Sequence, residues 1–451
     1  MRSEAVTEKQ PAFDRRRLMW LALLVCAAYF NALFGAFQFD DHNVIVDYPG
    51  VHSWQAWLEG VGHGIRPVLK LSYTLNWISG FGAPGFHLVN LLIHLGTVWL
   101  VYRLAEEFVR CQALRQRLTH VPLLTAFLFA VHPVQTEAAT YISGRSSSLM
   151  ALLYLAGLLA YATGRTQHNK VHLYALTPLL FALALGVKET AVTLPLALVV
   201  WELFCGGTCK TSLQRQWPSW ALLLGAALFF LLNGSYQGEI QASAKLNSLT
   251  GNAATQLMAS AYLLHQWALP LWLNIDPDLP LLHDFSDAAG PLTFTLAGLT
   301  MTLICWRRRP WISFALLWAG LHLIALYLFL PRVDVANERQ LYLASWPLFL
   351  ALTTELTLWL RPRPFRLAMA ALVVTYVGLT VARNQVYVNE ITLWEDTVAK
   401  SPHKARVHNN LGYAYLLADR REEARREFAT ALQIDPQQVQ ARFNRERLNS
   451  P

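Results

Sequence analysis

The chain has 451 residues, of which 54% are hydrophobic and 15% charged, whereas a soluble domain carries roughly 25% charged residues. That balance excludes an ordinary water-soluble protein and points to an all-α, polytopic membrane helix bundle. The formal charge of +8 raises the question of nucleic acid, but the Lys and Arg residues are scattered at the ends of apolar runs. The positive-inside rule accounts for them, and no nucleic-acid partner is expected.

In chain order, eleven spans are predicted, at about 18–36, 86–105, 121–133, 146–163, 172–187, 190–204, 218–233, 291–306, 311–330, 345–360 and 366–383. The first follows Arg15-Arg16-Arg17 and has no small-residue cleavage site after it, so it reads as a retained anchor. Segments assigned to the cytoplasm hold 19 Lys and Arg, against 8 on the opposite side up to residue 384. This places the N-terminus inside and the C-terminus outside. Leu257 to Leu273 is also apolar, but a full crossing there would carry Arg307-Arg308-Arg309 outward; a re-entrant or interfacial helix is expected. All five cysteines (Cys26, Cys111, Cys205, Cys209, Cys305) fall in spans or on the cytoplasmic side, so no disulfide framework is needed. Cys205 and Cys209, without a second pair nearby, read as a short loop rather than a metal site.

The outer loops carry most of the remaining information. The first, about 37–85, opens with Phe37-Gln-Phe-Asp40-Asp41-His42 and continues into two amphipathic pieces, Trp54 to Gly60 and Pro67 to Gly80, suited to the lipid headgroup layer. A second runs from Gly234 to Gly290, and a third has Pro331 to Leu341 at its tip. After the last span, residues 405–438 fit one tetratricopeptide repeat through Leu411, Gly412, Tyr415, Ala424, Phe428, Ala431 and Pro436. Helices around 390–399 and 438–448 are expected to cap it. The chain thus divides into a membrane domain, 1–384, and a small helical domain, 385–451, on the outer side, able to meet a protein partner.

A charge at the centre of a span costs roughly 2.5–3.5 kcal/mol, so ionisable residues at membrane depth ask for a reason. Here they gather at the outer ends of spans: Asp40 and Asp41; Arg66; His132, Glu137 and Arg145; Lys188 and Glu189; Glu338 and Arg339. Each taken singly fits an interfacial charge reaching for water. As a set they suggest one outward-facing cavity. An extended backbone would point Asp40 and Asp41 to opposite sides, a poor match to the facing carboxylates of a glycoside hydrolase. One as base, with cations stabilising a phosphate leaving group, fits better. The pair could also hold a divalent cation such as Mg or Mn through oxygen ligands. A transporter is disfavoured because the charges sit at one face rather than at the midplane. A non-catalytic assembly factor acting through the repeat is the rival from another class.

The series F-x-F-D-D at 37–41, Arg66-Pro67, Phe86-His87-x-x-Asn90-x-x-x-His94, His132-Pro133-x-x-x-Glu137, Ser143-Gly144-Arg145, Lys188-Glu189 and Glu338-Arg339-Gln-Leu-Tyr342 closely resembles the transmembrane and tetratricopeptide repeat-containing O-mannosyltransferases and their bacterial relatives. These belong to the GT-C class of polyprenyl-phosphate-dependent glycosyltransferases. The resemblance covers nearly the whole chain. It implies inverting transfer of a sugar, a hexose such as mannose in that family, from a polyprenyl-phosphate donor to a hydroxyl of a protein, or alternatively of a lipid or glycan. The reacting centre would lie on the periplasmic side of a bacterial inner membrane. It further implies Asp40 or Asp41 as base, and Arg145, Lys188, Arg339 and Arg66 as phosphate ligands. Glu137, Glu189 and Glu338 would hold those cations or bind sugar hydroxyls, with His42, His87 and His132 as polar neighbours. Two departures stand out: one clear repeat in place of many, and Phe39 where a Trp is common.

Overall fold

The computed structural model describes residues 15–62, 65–112, 118–234, 236–238, 241, 247–325, 327–328 and 334–449. Arg115, Arg117, Lys245, Arg332 and the basic residues before Arg15, used above to assign sides, lie outside the described residues. Every regular element among the described residues is helical. Proline opens several helices, including Pro67–Ser79, Pro310–Gly320 and Pro362–Val386. There its missing N–H costs nothing and its fixed φ suits the first turn.

Four helices are long and apolar enough to cross a membrane: Arg15–Phe34, Gly82–Cys111, Ile142–Thr166 and Pro362–Val386. Glu338–Ala344 and Trp346–Trp359, bent by 62°, make a fifth if taken together. Other expected spans are shorter apolar helices, among them Val121–Val131, Ala289–Cys305 and Pro310–Ala325. Of the stretch expected to be re-entrant, residues 257–268 form the end of a helix, Leu249–Ala268, whose Ala259 and Leu263 pack with Ala315, Ala319 and Leu341, and residues 269–273 follow it outside the helix. The short helices have a physical reason. Residues 132–148, which join Val121–Val131 to the next long helix, are buried throughout, and irregular backbone at such depth is tolerated where protein rather than lipid surrounds it.

The bundle buries polar side chains within a large apolar core and leaves apolar side chains on its outside. On the helix Gly82–Cys111, Asn90, His94 and Thr97 are fully buried, whereas Leu88 and Leu92 are exposed. His94 bonds the Ala130 carbonyl (3.0 Å) and the Tyr342 hydroxyl (2.8 Å), tying three segments together. Ion pairs collect at the two ends. Arg17 with Glu106, Arg165 and Arg215 with Glu202, and Arg309 with Glu355 join residues assigned to the cytoplasm. Arg66 with Glu189, Arg339 with Glu137 and Arg383 with Glu338 join residues assigned to the outside.

The C-terminal helices Glu390–Lys400, Ala405–Leu417, Arg421–Ile434 and Val439–Asn449 share a core of Trp394, Leu411, Tyr415, Phe428 and Leu448. A Cβ at Gly412 would stand 2.7 Å from the Phe428 ring, so the close approach of the two central helices requires glycine there. This unit rests on the outer loops. The Asp276 carboxylate accepts from Lys404 (2.7 Å) and from Arg406 (2.6 and 2.9 Å), and Arg406 also reaches Asp334 at 2.8 Å. Asp276→Ala would strand two cations beside a buried site, at a cost of about 2–3 kcal/mol given the partial exposure of Arg406. The expected outcome is a lower thermal midpoint and earlier proteolytic release of the C-terminal helices.

Candidate functional site

The first long helix ends in a tight turn, Phe30–Phe34, and the chain then runs to the acidic pair. The pair does not lie in an extended segment: Asp41 is in the right-handed helical region (φ −58°, ψ −34°) at the start of a wide turn, His42–Val46. The side chains diverge all the same, because their partners differ. Asp41 is buried and accepts from the Ser143 amide (2.8 Å), the Ser143 hydroxyl and the Gln38 amide (3.0 Å). Burial pushes its carboxyl up to about 7, against the pull of those three donors. Asp40 instead borders a cavity of about 280 Å³, and its own N–H donates to the Tyr141 hydroxyl (3.0 Å). Burial raises the Asp40 carboxyl too, with Arg339 pulling the other way.

Arg66, Lys70, Lys188 and Arg339 line that cavity with Tyr48, Tyr73, Ser143 and Ser146; Asp40 is the acid among the described lining residues. Arg66, left-handed at φ 56°, is clamped by Glu189 through bonds of 2.9 and 2.8 Å. Burial opposes the charge of both, but the pairing prevails, so that Arg66 is raised and Glu189 lowered from their ordinary values. Glu137 accepts from the Arg339 amide at 3.0 Å and lies 3.3 Å from its guanidinium. Lys188 bonds the Ser147 hydroxyl at 2.7 Å, and Lys70 reaches the Tyr48 hydroxyl at 3.1 Å with its ammonium 4.7 Å above that ring. Four cations facing one acid make a site for an anion of the size of a small molecule or its headgroup.

The remaining sequence candidates lie behind this surface. Arg145 is fully buried, bonded to Asn90 (2.6 Å) and to the carbonyls of Ser72 (3.1 Å) and Phe86 (2.9 Å). Its guanidinium lies near the faces of Tyr73 and Phe86, and it ties Pro67–Ser79 to Gly82–Cys111. Glu338 lies 3.5 Å from Arg383 rather than beside Arg339. His87 bonds the Gly35 carbonyl at 3.1 Å, His132 packs edge-on to Tyr376, and His42 stands 3.9 Å from Glu390. Lys70 was not among the candidates, yet it follows Arg66 by four residues at the start of a helix, the spacing that puts two side chains on one face.

The divergence of the acidic pair bears on a metal. With the Asp41 oxygens taken up by three donors, the pair turns one carboxylate toward the cavity. The described residues contain no cluster of three or more His, Cys, Asp or Glu that could hold an ion. Asp41, its oxygens already accepting from three donors, is therefore a poor ligand for an ion.

Geometry alone defines an integral membrane helix bundle with a cationic, acid-bearing cavity at one end. Comparison with known proteins adds a likeness over nearly the whole chain, although no protein-family model matches it. The chain is 27% identical to the Homo sapiens protein O-mannosyl-transferase TMTC1, over 94% of this chain and 56% of that protein. It is 24% identical to the Mus musculus protein O-mannosyl-transferase TMTC3, over 97% and 53%, and 26% identical to the Drosophila melanogaster protein O-mannosyl-transferase Tmtc3, over 84% and 49%. The resemblance read from the motifs is thus a resemblance of whole sequence, and the chain spans about half the length of these relatives.

One glycine underlies the site. A Cβ on Gly144 would run into the Glu137 carbonyl oxygen and lie 3.1 Å from the Ala138 Cα. The Ser-Gly-Arg triplet can therefore pack against the segment that carries Glu137 only with glycine at its centre. Gly144→Ala is expected to cost about 1–3 kcal/mol through forced backbone displacement, read as a fall in thermal midpoint in detergent.

Proposed function

We propose that this protein transfers a sugar from a polyprenyl-phosphate sugar to an extracytoplasmic hydroxyl, the hydroxyl of a Ser or Thr in a protein, with inversion at the anomeric carbon. The observation that carries the proposal is one cavity lined by Asp40 together with Arg66, Lys70, Lys188 and Arg339; the names of the similar proteins agree with it. In this reading the Asp40 carboxylate takes the proton of the acceptor hydroxyl as its oxygen bonds to the anomeric carbon. The bond from that carbon to the phosphate oxygen breaks, and the phosphate leaves with the electron pair. A phosphodiester with one negative charge becomes a monoester approaching two. The cations therefore bind the transition state more tightly than the donor, and only such differential binding accelerates the chemistry.

Asp41 is assigned the support of the loop, and Arg145 the fixing of Pro67–Ser79, which begins after Arg66 and carries Lys70, against Gly82–Cys111. Eleven crossings, with the short helices completed by buried backbone, would place the N-terminus in the cytoplasm and the cavity on the periplasmic side of a bacterial inner membrane. The two-to-one excess of Lys and Arg on the assigned cytoplasmic side supports that orientation. The hairpin Ala405–Ile434 is read as a single tetratricopeptide repeat.

Asp40→Asn should lower transfer by about 10²–10⁴-fold, the range for loss of a general base, with the protein still folded and inserted. Reconstituted enzyme, supplied with a polyprenyl-phosphate sugar and a Ser/Thr peptide, checks this. Full activity would remove the proposed base, and product on lipid or glycan instead of peptide would redirect the acceptor. The sign of the pH dependence follows from burial. A carboxyl raised from its ordinary value ionises later, so the acid limb of kcat/KM should lie at a higher pH than an exposed aspartate would give.

A further inference from the structure

Phe39, next to the proposed base, has a left-handed backbone with φ 47°. An aromatic side chain rarely adopts that conformation and keeps it only where its surroundings hold it. Those surroundings come from the far end of the sequence. The Phe39 N–H donates to Glu390 Oε1 at 2.6 Å, and its ring meets Trp394 edge-on with centroids 5.0 Å apart. Just before it in the chain, the Ala36 N–H donates to the Val388 carbonyl at 3.0 Å and the Gln38 side-chain amide to the Tyr387 carbonyl. From the bundle side, Tyr141 accepts the N–H of Asp40 itself. The acid is therefore held between a fixed point in the membrane domain and a clamp made by the first C-terminal helix.

We propose that the helix Glu390–Lys400 is part of the active site, with Glu390 and Trp394 as positioning residues that hold Phe39 left-handed and so aim the Asp40 carboxylate into the cationic cavity. The inference rests on Asp40 being the base. The clamp is itself anchored to the bundle: Arg383 bonds Asp396 at 2.8 Å, Lys400 the Leu273 carbonyl at 2.8 Å and Ser401 the Asp276 carbonyl at 2.9 Å. Glu390 suits the role because it needs only to accept one hydrogen bond, at the first position of its helix. A glutamine there keeps the acceptor; an alanine does not.

The test uses the full-length protein in lipid vesicles, with polyprenyl-phosphate mannose and a Ser/Thr peptide as probes. Glu390→Ala should lower kcat by about 10- to 100-fold, the range of one misplaced catalytic contact, with the KM for the donor within about twofold. It should also move the acid limb of kcat/KM to lower pH. An Asp40 swung toward water loses the burial that holds its carboxyl up, while Arg339, Tyr141, Asp334 and Arg406 remain its charged and titratable neighbours. Glu390→Gln should restore most of the rate and return the limb. Phe39→Ala, which removes the ring contact that helps hold the left-handed backbone and so lets it relax, should reproduce the loss and the shift, and it carries the test if Glu390→Ala yields no folded protein. A Glu390→Ala enzyme with an unmoved limb and an unchanged kcat per folded molecule overturns the inference, as does a Gln variant no better than Ala. Asp40→Asn separates the two failures. If it stays active, the base assignment falls; if it is dead while Glu390→Ala and Phe39→Ala match wild type, only the clamp falls.

Discussion

An ionised group near the bilayer must find a partner, and that constraint shapes the outer end of this protein. Arg66 is held by Glu189 and Arg339 by Glu137, each carboxylate standing behind its cation rather than in the cavity. The pairing stabilises the buried charge while leaving the cavity face cationic. An isolated arginine at such a place would be costly, and one neutralised from the front would be unable to bind an anion. The arrangement solves both problems by layering: acids behind, cations in front, and one further acid, Asp40, lining the same cavity.

The same layering separates two adjacent aspartates that composition cannot distinguish. Asp41 is consumed by Ser143 and Gln38 and fixes the loop; Asp40 is left to face the cavity. The distinction arises from the glycine-centred turn at 143–145. It brings the Ser143 amide to Asp41 while sending Arg145 into the protein, where it bonds carbonyls of two outer helices. A triplet that looks like a phosphate ligand in one dimension serves in three as a brace for the helix beside the cavity.

The C-terminal helices enter the picture for a physical reason rather than as an appendage. A single helical hairpin buries too little surface to stand alone. Here it gains flanking helices and a charged seam with the outer loops through Asp276, Asp334 and Arg406. That seam brings Glu390 and Trp394 against Phe39. The tail and the acidic loop thus form one continuous packing unit, although they are separated by about 350 residues.

What the sequence determined by itself was the class of molecule and the inventory of its site. Apolar runs, the distribution of Lys and Arg and the recurrence of charge at one set of span ends are one-dimensional properties, because lipid imposes them on the chain segment by segment. They delivered the helical membrane bundle and most of the cavity's charges, including Asp40, Arg66, Lys188 and Arg339. What only the tertiary structure decided was direction: which aspartate faces the cavity, that Glu338 pairs with Arg383, that Arg145 is spent on backbone carbonyls, that Lys70 joins the cations and that the 132–148 segment is buried rather than exposed. Those outcomes depend on partners tens or hundreds of residues away, and on space at a glycine or a left-handed residue. Local periodicity carries no information about either.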